Sequence, residues 1–113
     1  MIQFDSRDKK FKSPYGAVPC GTAVSFRLLA QNCEEAFLIT DTLGTFPMKK
    51  DGDFFTYTLT VTEAGLVHYC FRAHDMYGNT IWCGKGEGGK SACSATIPPF
   101  YQLTVFEQTP ALP

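Results

Sequence analysis

The chain has 113 residues, of which 44% are hydrophobic and 19% charged, so it has enough apolar side chains for one domain with a buried core. Ten basic and eleven acidic residues give a formal net charge of -1, which excludes the basic field that supplies most non-specific affinity for nucleic acid. The sequence has neither an apolar run of about 20 residues nor a signal-peptide pattern at its start, so we expect a soluble cytoplasmic domain with no nucleic-acid or membrane partner.

The first predicted element is an extended segment over residues 5–22, which lies outside any alternating pattern. Turn-forming residues interrupt it at four positions: Pro14, Gly16, Pro19 and Gly21. The segment also carries Phe11 and Tyr15. Because the segment is extended and aromatic, we predict that these two side chains belong to an exposed apolar docking patch.

Seven predicted strands follow this segment. The clearest begins at Phe54 and ends at Thr62, where apolar residues alternate with threonines as in a half-buried antiparallel strand. Asp51–Gly52 predicts a hairpin turn before this strand, and Gly78–Asn79 predicts a turn further along the chain. The predicted strands cover residues 24–30, 35–40, 45–49, 54–62, 67–73, 79–83 and 100–106.

About seven short strands within about 100 residues, with no window of helical spacing, predict an all-β fold, an immunoglobulin-like antiparallel β-sandwich. We expect residues 1–113 to form this single domain. Tyr69 follows a glycine turn early in its strand, which is typical of a tyrosine corner and equally compatible with a core aromatic residue. Residues 84–99 are predicted to form a long glycine-rich loop.

This loop contains the pattern Gly84-x-x-x-x-Gly89-Lys90-Ser91, which matches a phosphate-binding loop. Phosphate binding by such a loop requires a helix that starts directly after the glycines. Six residues separate Ser91 from Pro98, which leaves no room for that helix. We therefore predict a flexible loop and no nucleotide cofactor.

The five cysteines form no Cys-x-x-Cys pair, and their number is odd. This pattern argues against a full disulfide framework and against a zinc site completed by His68 and His74. We predict reduced, partly buried thiols and no metal. A bridge between Cys83 and Cys93 across the loop is the alternative for an exported protein.

The sequence shows no arrangement of residues typical of catalysis, so we predict no catalytic residue, no cofactor and no enzyme activity for this chain. No serine stands in a nucleophile elbow, and acidic pairs such as Glu34–Glu35 stand at turns and strand ends. Aromatic residues are abundant, with ten Phe, five Tyr and one Trp. Three of them lie in or beside hairpins and are our candidates for stacking on sugar rings: Trp82, Tyr77 and Phe46.

Several blocks of the chain resemble the opening of neopullulanase- and cyclomaltodextrinase-type enzymes of the α-amylase superfamily. The blocks are Phe4-Asp5-Ser6-Arg7-Asp8, residues 11–18, 21–28 and 65–71, Gly86-Glu87-Gly88-Gly89, and Tyr101-Gln102-Leu103-Thr104-Val105-Phe106 before Thr109-Pro110. The resemblance implies an N-terminal β-sandwich ahead of a (β/α)8 catalytic barrel, with residues 108–113 starting the linker. It also implies that the catalytic acidic residues belong to the barrel.

The function implied by the resemblance is that of a non-catalytic domain of an α-glucan-acting glycoside hydrolase, of neopullulanase, pullulanase or α-amylase type. The implied partners are the catalytic barrel of the same polypeptide, α-glucan oligosaccharides and a second copy of the enzyme in a homodimer. The alternative is a stand-alone immunoglobulin-like interaction module with no carbohydrate role. In either case we expect the chain alone to hydrolyse neither starch nor pullulan, because it lacks a pair of catalytic carboxyl groups.

Overall fold

The structure is a computed structural model that describes residues 1–107, so the predicted linker at residues 108–113 lies outside the described residues. The strands are β1 (Ile2–Gln3), β2 (Lys12–Ser13), β3 (Val18–Pro19), β4 (Ala23–Ala30), β5 (Cys33–Thr40), β6 (Thr45–Pro47), β7 (Lys49–Asp51), β8 (Phe54–Thr60), β9 (Gly65–Asp75), β10 (Thr80–Lys85), β11 (Ser91–Ser94) and β12 (Tyr101–Phe106). Among the described residues, no helix is long and apolar enough to cross a membrane.

The strands form two sheets. The first has the order β1-β4-β8-β7, and β2 also pairs with β4. In the second sheet, β9 is central: β5 pairs with one edge of β9, while β10 and β12 share its other edge. This sheet is completed by β6 on β5, β11 on β10 and β3 on β12. The pairing of β3 with β12 is parallel, and the other strand pairs are antiparallel.

The prediction of an all-β, antiparallel sandwich is confirmed, and each of the seven predicted strands has a counterpart. The segment predicted as one strand at residues 45–49 is divided between β6 and β7. The hairpin turn predicted at Asp51–Gly52 is also present, because Asp51 pairs with Phe54 across a two-residue loop and Gly52 has a φ of 61°. The short strands β1, β2, β3 and β11 are absent from the prediction.

The prediction of one long loop over residues 84–99 is wrong. Strand β10 extends to Lys85, and Ser91–Ser94 form β11, which pairs with β10. A short turn remains between them, closed by a hydrogen bond of 2.8 Å from the Gly86 amide to the Lys90 carbonyl. In the paired strands, backbone amides and carbonyls form hydrogen bonds with each other, whereas in an open loop they would bond to water.

The amino-terminal segment is held against this β10–β11 hairpin. The Phe4 amide donates to the Ser91 hydroxyl at 3.0 Å, and the Ser6 amide donates to the Gly89 carbonyl at 2.9 Å. A Cβ atom added at Gly89 would lie 2.8 Å from Cγ of Arg7, closer than real Cβ atoms approach a neighbour. The close backbone approach of the two segments thus explains the glycine at this position.

Phe4 lies at the centre of an aromatic core. Its side chain is 0% exposed, and its ring centroid lies 4.6 Å from that of Phe71 and 5.1 Å from that of Tyr101. Phe11 belongs to the same core, with 4% exposure and its centroid 6.3 Å from that of Phe4. The predicted docking role of Phe11 is therefore wrong, because burial of its ring within the domain removes it from the surface.

Tyr69 is a core aromatic residue and does not form a tyrosine corner. Its ring stacks on that of Tyr101, with centroids 5.3 Å apart, and its hydroxyl is buried with no hydrogen-bond partner among the described residues. The hydroxyl that does bond to the backbone belongs to Tyr101, which donates to the Gly89 carbonyl at 3.0 Å. Desolvation by burial raises the pKa of Tyr69.

Candidate functional site

A row of aromatic and charged side chains lies on the face of the second sheet that points away from the core. Phe71 and Ala73 of β9 are buried in the core, so Arg72 between them points outward. Arg72 pairs with Phe37 of β5 on one side and with Trp82 of β10 on the other, so these side chains share its face. His74 lies on the same face and pairs with Thr80 of β10. This group, which we call the Trp82 surface, consists of Phe37, Arg72, His74, Thr80 and Trp82.

The guanidinium group of Arg72 lies between two aromatic rings. Its Cζ atom is 4.8 Å from the ring centroid of Phe37 and 5.6 Å from that of Trp82. Both distances lie within the range of a cation–π interaction, which fixes the planar guanidinium group relative to the rings. The Nε atom of Arg72 is buried and has no hydrogen-bond partner among the described residues.

His74 extends the surface toward the end of the hairpin. Its Nδ1 atom shares a hydrogen bond of 3.2 Å with the hydroxyl of Thr80, and its ring meets that of Phe37 edge-on at 5.8 Å between centroids. The surface therefore combines flat apolar rings with hydroxyl, imidazole and guanidinium groups on adjacent strands. Such a combination suits a ligand with an apolar face and hydroxyl groups along its edges.

The three predicted sugar-binding residues have different positions. Trp82 is half-buried on the surface described above, and Tyr77, 73% exposed, lies in the turn between β9 and β10. Phe46 lies elsewhere, because it pairs with the buried Leu38 and stacks on Tyr57 with ring centroids 5.0 Å apart. The assignment of Phe46 as a carbohydrate-binding residue disagrees with this position, since its ring packs toward the opposite sheet.

Comparisons with known proteins add no relative to this description. No protein-family model matches the chain, and no curated protein or solved structure is significantly similar to it. Within residues 1–107, no group of three or more His, Cys, Asp or Glu side chains is arranged to hold a metal ion. The geometry of the Trp82 surface is therefore the main basis for the functional proposal below.

Sequence reasoning missed Phe37 and Arg72. The alternation in β9 does place Arg72 on the polar face, and Trp82 is the one tryptophan of the chain. The pairing of three strands, however, brings together Phe37, Arg72 and Trp82. The alternation within one strand does not indicate which residues lie beside it on the neighbouring strands.

The turn that carries Tyr77 is organised by Asp75. One carboxylate oxygen of Asp75 accepts the backbone amides of Tyr77 at 2.9 Å and Asn79 at 2.8 Å. The other accepts the side-chain amide of Asn79 at 3.0 Å. Gly78 completes the turn with a φ of 86°, a conformation that side chains other than glycine rarely adopt.

These bonds make the turn sensitive to acid. The hydrogen bond from the Asn79 side chain, followed by the backbone bonds from Asn79 and Tyr77, lowers the pKa of Asp75 from its ordinary value of 3.8. A depressed carboxyl pKa contributes stability that is present above the unfolded-state pKa and is lost as the pH falls through the folded-state pKa. We expect the amide signals of residues 76–79 to shift together with protonation of Asp75 in an NMR titration.

The matched variant for this titration is Asn79→Ala. It removes the largest of the three contributions, so the pKa of Asp75 should rise toward 3.8. An unchanged pKa of Asp75 in this variant would show that the Asn79 side chain does not stabilise the ionised carboxylate.

Tyr15, the other predicted docking residue, is 51% exposed and lines a cavity of about 290 Å³ beside Gln102 and Thr104. The buried Lys12 side chain lines the same cavity and donates from Nζ to the Pro14 carbonyl at 3.2 Å. Desolvation by burial lowers the pKa of Lys12. Because about half of its surface is exposed, Tyr15 remains available for contact with a partner.

Proposed function

We propose that this chain is a non-catalytic β-sandwich module of an α-glucan-acting glycoside hydrolase, of neopullulanase, pullulanase or α-amylase type, and that the Trp82 surface contacts the glucan. The observation that carries the binding role is the arrangement of Arg72 between the rings of Phe37 and Trp82 on an outward sheet face. The parent enzyme class is supported by the resemblance of the amino-terminal and β12 sequence blocks to that family.

The proposed contact is a stack of one glucose ring on the indole of Trp82. The C–H groups of the sugar face pack on the ring, while Arg72 and His74 supply hydrogen bonds to its hydroxyl groups. Tyr77, on the turn of the same hairpin, offers a second exposed ring for an adjacent unit. An open surface without a deep cleft buries little of its ligand, so we expect millimolar affinity, about 4 kcal/mol.

A titration of isotope-labelled protein with maltoheptaose tests this proposal. We expect amide and indole shifts that cluster on Trp82, Arg72 and Tyr77 and saturate in the millimolar range. The Trp82→Ala variant should lose them, and Tyr77→Ala should weaken them in part. Phe106→Ala is the matched control, because it removes an exposed aromatic ring of β12 and leaves the Trp82 surface intact.

Two outcomes of this titration contradict the proposed role of the Trp82 surface. Signals that stay unchanged up to high millimolar maltoheptaose exclude the proposed affinity. Shifts that persist in Trp82→Ala but disappear in Phe106→Ala place the contact on another surface.

A second proposed role, docking on the catalytic barrel or on a second copy of the chain, rests on exposed apolar side chains where β9 pairs with β12. Leu66 is 51% exposed and pairs with Thr104, and Phe106 of β12 is 47% exposed. Tyr15 lines its cavity beside Thr104. Sedimentation velocity over a range of concentrations tests self-association, which Leu66→Ser should abolish if this side forms the contact.

The natural reading frame beyond residue 113 distinguishes the proposed parent enzyme from the alternative. A (β/α)8 barrel with an acidic triad supports the glycosidase. A stop codon instead supports a stand-alone interaction module with no carbohydrate role.

A further inference from the structure

Cys83 and Cys93 face each other across the β10–β11 hairpin as register partners. The hydrogen bond from the Gly86 amide to the Lys90 carbonyl identifies that pair as a hydrogen-bonded position of the ladder. Positions alternate along an antiparallel ladder, so Cys83 and Cys93 occupy a non-hydrogen-bonded position, where Cα atoms lie about 4.5 Å apart. A disulfide spans Cα distances of about 4.4–6.8 Å, so the backbone is already placed for one.

The two thiols have different environments. Cys83 is buried in the core, whereas Cys93 is exposed. The Cys93 sulfur lies 3.6 Å from the Ile2 carbonyl oxygen, and its interaction with the neighbouring Cys83 thiol lowers the pKa of Cys93 to about 7. The same interaction, together with burial, raises the pKa of Cys83. Near neutral pH, a substantial fraction of the exposed Cys93 is therefore thiolate, whereas the buried Cys83 beside it stays a thiol.

We propose that Cys83 and Cys93 form a reversible dithiol–disulfide site that a small disulfide such as oxidised glutathione oxidises. The Cys93 thiolate attacks one sulfur of the oxidant, forming a mixed disulfide and releasing one glutathione thiolate. Cys83 then attacks Sγ of Cys93 while its proton passes to the departing sulfur, which releases the second glutathione as a thiol. Two cysteine thiols are oxidised, and one glutathione disulfide is reduced to two thiols.

The remaining cysteines are less suited to this chemistry. Cys33 and Cys70 are buried, and burial raises the pKa of each thiol. Cys20 is intermediate in exposure. Among the described strand pairs, Cys83 and Cys93 are the cysteines that face each other in register, so we expect disulfide formation to be selective for the hairpin pair.

The disulfide has a structural consequence for the amino-terminal segment. The hairpin residues between the two cysteines include Gly89 and Ser91, which accept the backbone amides of Ser6 and Phe4. A covalent link across β10 and β11 keeps these acceptors in place and removes conformational freedom from the unfolded chain. The oxidised form should melt at a higher temperature than the reduced form.

The test is incubation of the purified protein with oxidised glutathione at about pH 8, where Cys93 is mostly ionised. We expect the intact mass to fall by two hydrogen atoms, a Cys83–Cys93 link in the peptide map, a higher melting temperature, and reversal of all three by dithiothreitol. Cys83→Ser should instead retain a glutathione adduct on Cys93. Cys93→Ser should form neither adduct nor link, and Cys20→Ser should behave as the wild type.

Three results overturn the proposal. One is an unchanged mass after equilibration with excess oxidant, and another is a stable glutathione adduct on wild-type Cys93. The third is a link that includes Cys20, Cys33 or Cys70. Because Cys93 is exposed, Cys93→Ser keeps the test valid even where substitution of the buried Cys83 impairs folding.

Discussion

The Phe4→Ala variant should lose about 3–5 kcal/mol of its free energy of unfolding, the range for removing a buried aromatic side chain. Phe4 is 0% exposed, and four further rings surround it besides Phe71: those of Phe11, Phe26, Tyr69 and Tyr101. Alanine leaves a cavity that these rigid neighbours cannot close. Because small domains are stable by about 5–15 kcal/mol, this loss is a large share of the total free energy of unfolding.

Urea unfolding followed by circular dichroism and by the fluorescence of Trp82 measures this loss. The matched control is Phe106→Ala, the same substitution at a side chain that is 47% exposed. It should change the free energy of unfolding by no more than about 0.5 kcal/mol. Equal losses in the two variants would contradict the central position of Phe4 in the core.

The second large effect is expected from Gly84→Ala. A Cβ atom at this position would overlap the Pro99 carbonyl oxygen and lie 2.6 Å from both Cβ and Cγ of Pro98. The proline pair cannot move freely, because the Pro99 carbonyl accepts the Lys85 amide at 2.9 Å. We expect a loss of about 1–3 kcal/mol, the range for overpacking a core, and displacement of residues 95–99 from β10.

Gly86→Ala is the control, because it introduces the same methyl group in the same hairpin. Its nearest contact would be the Lys90 carbonyl oxygen at 3.1 Å, so a shift of a few tenths of an ångström relieves it. Thermal unfolding of the two variants should therefore show the larger decrease in melting temperature for Gly84→Ala. The reverse order would mean that the Pro98–Pro99 segment yields easily.

The strands that sequence alone predicts are those with a clear alternation, such as β8 with its threonines on the polar face. The strands that it misses have another origin. β1, β2 and β3 contain two residues each, too few for a period of two to be visible. They exist because residues separated in sequence meet, as when Ile2 of β1 pairs with Ala30 of β4 and Val18 of β3 pairs with Val105 of β12.

The glycine pattern shows a second limit of sequence reasoning. The absence of a following helix argues from sequence against a phosphate-binding loop, and the structure supplies specific packing reasons for two of the glycines. Gly84 makes room for Pro98–Pro99, and Gly89 makes room for Asp5 and Arg7. The local sequence does not show either of these close contacts, which is why it predicts a flexible loop for this segment.

The candidate site is predictable only in part. Trp82 stands out in the sequence, but its neighbours depend on strand register. The pairing of β5 with β9 contains an irregularity between Cys33 and Glu35, and such a bulge changes which residues face each other. Phe37 comes opposite Arg72 beyond this point. The error at Phe46 has a related cause, since its inward orientation follows from its pairing with Leu38.

The amino-terminal segment covers part of an exposed strand edge on each sheet. β1 and β2 cover the edge of β4 that faces away from β8, and β3 covers the edge of β12 that faces away from β9. Uncovered, these edges would present rows of unpaired amides and carbonyls, which recruit strands from other molecules. One segment of fewer than twenty residues, from Ile2 to Pro19, thus pairs with an edge of each of the two sheets, and we expect it to hinder the addition of strands from neighbouring molecules at the positions that it covers.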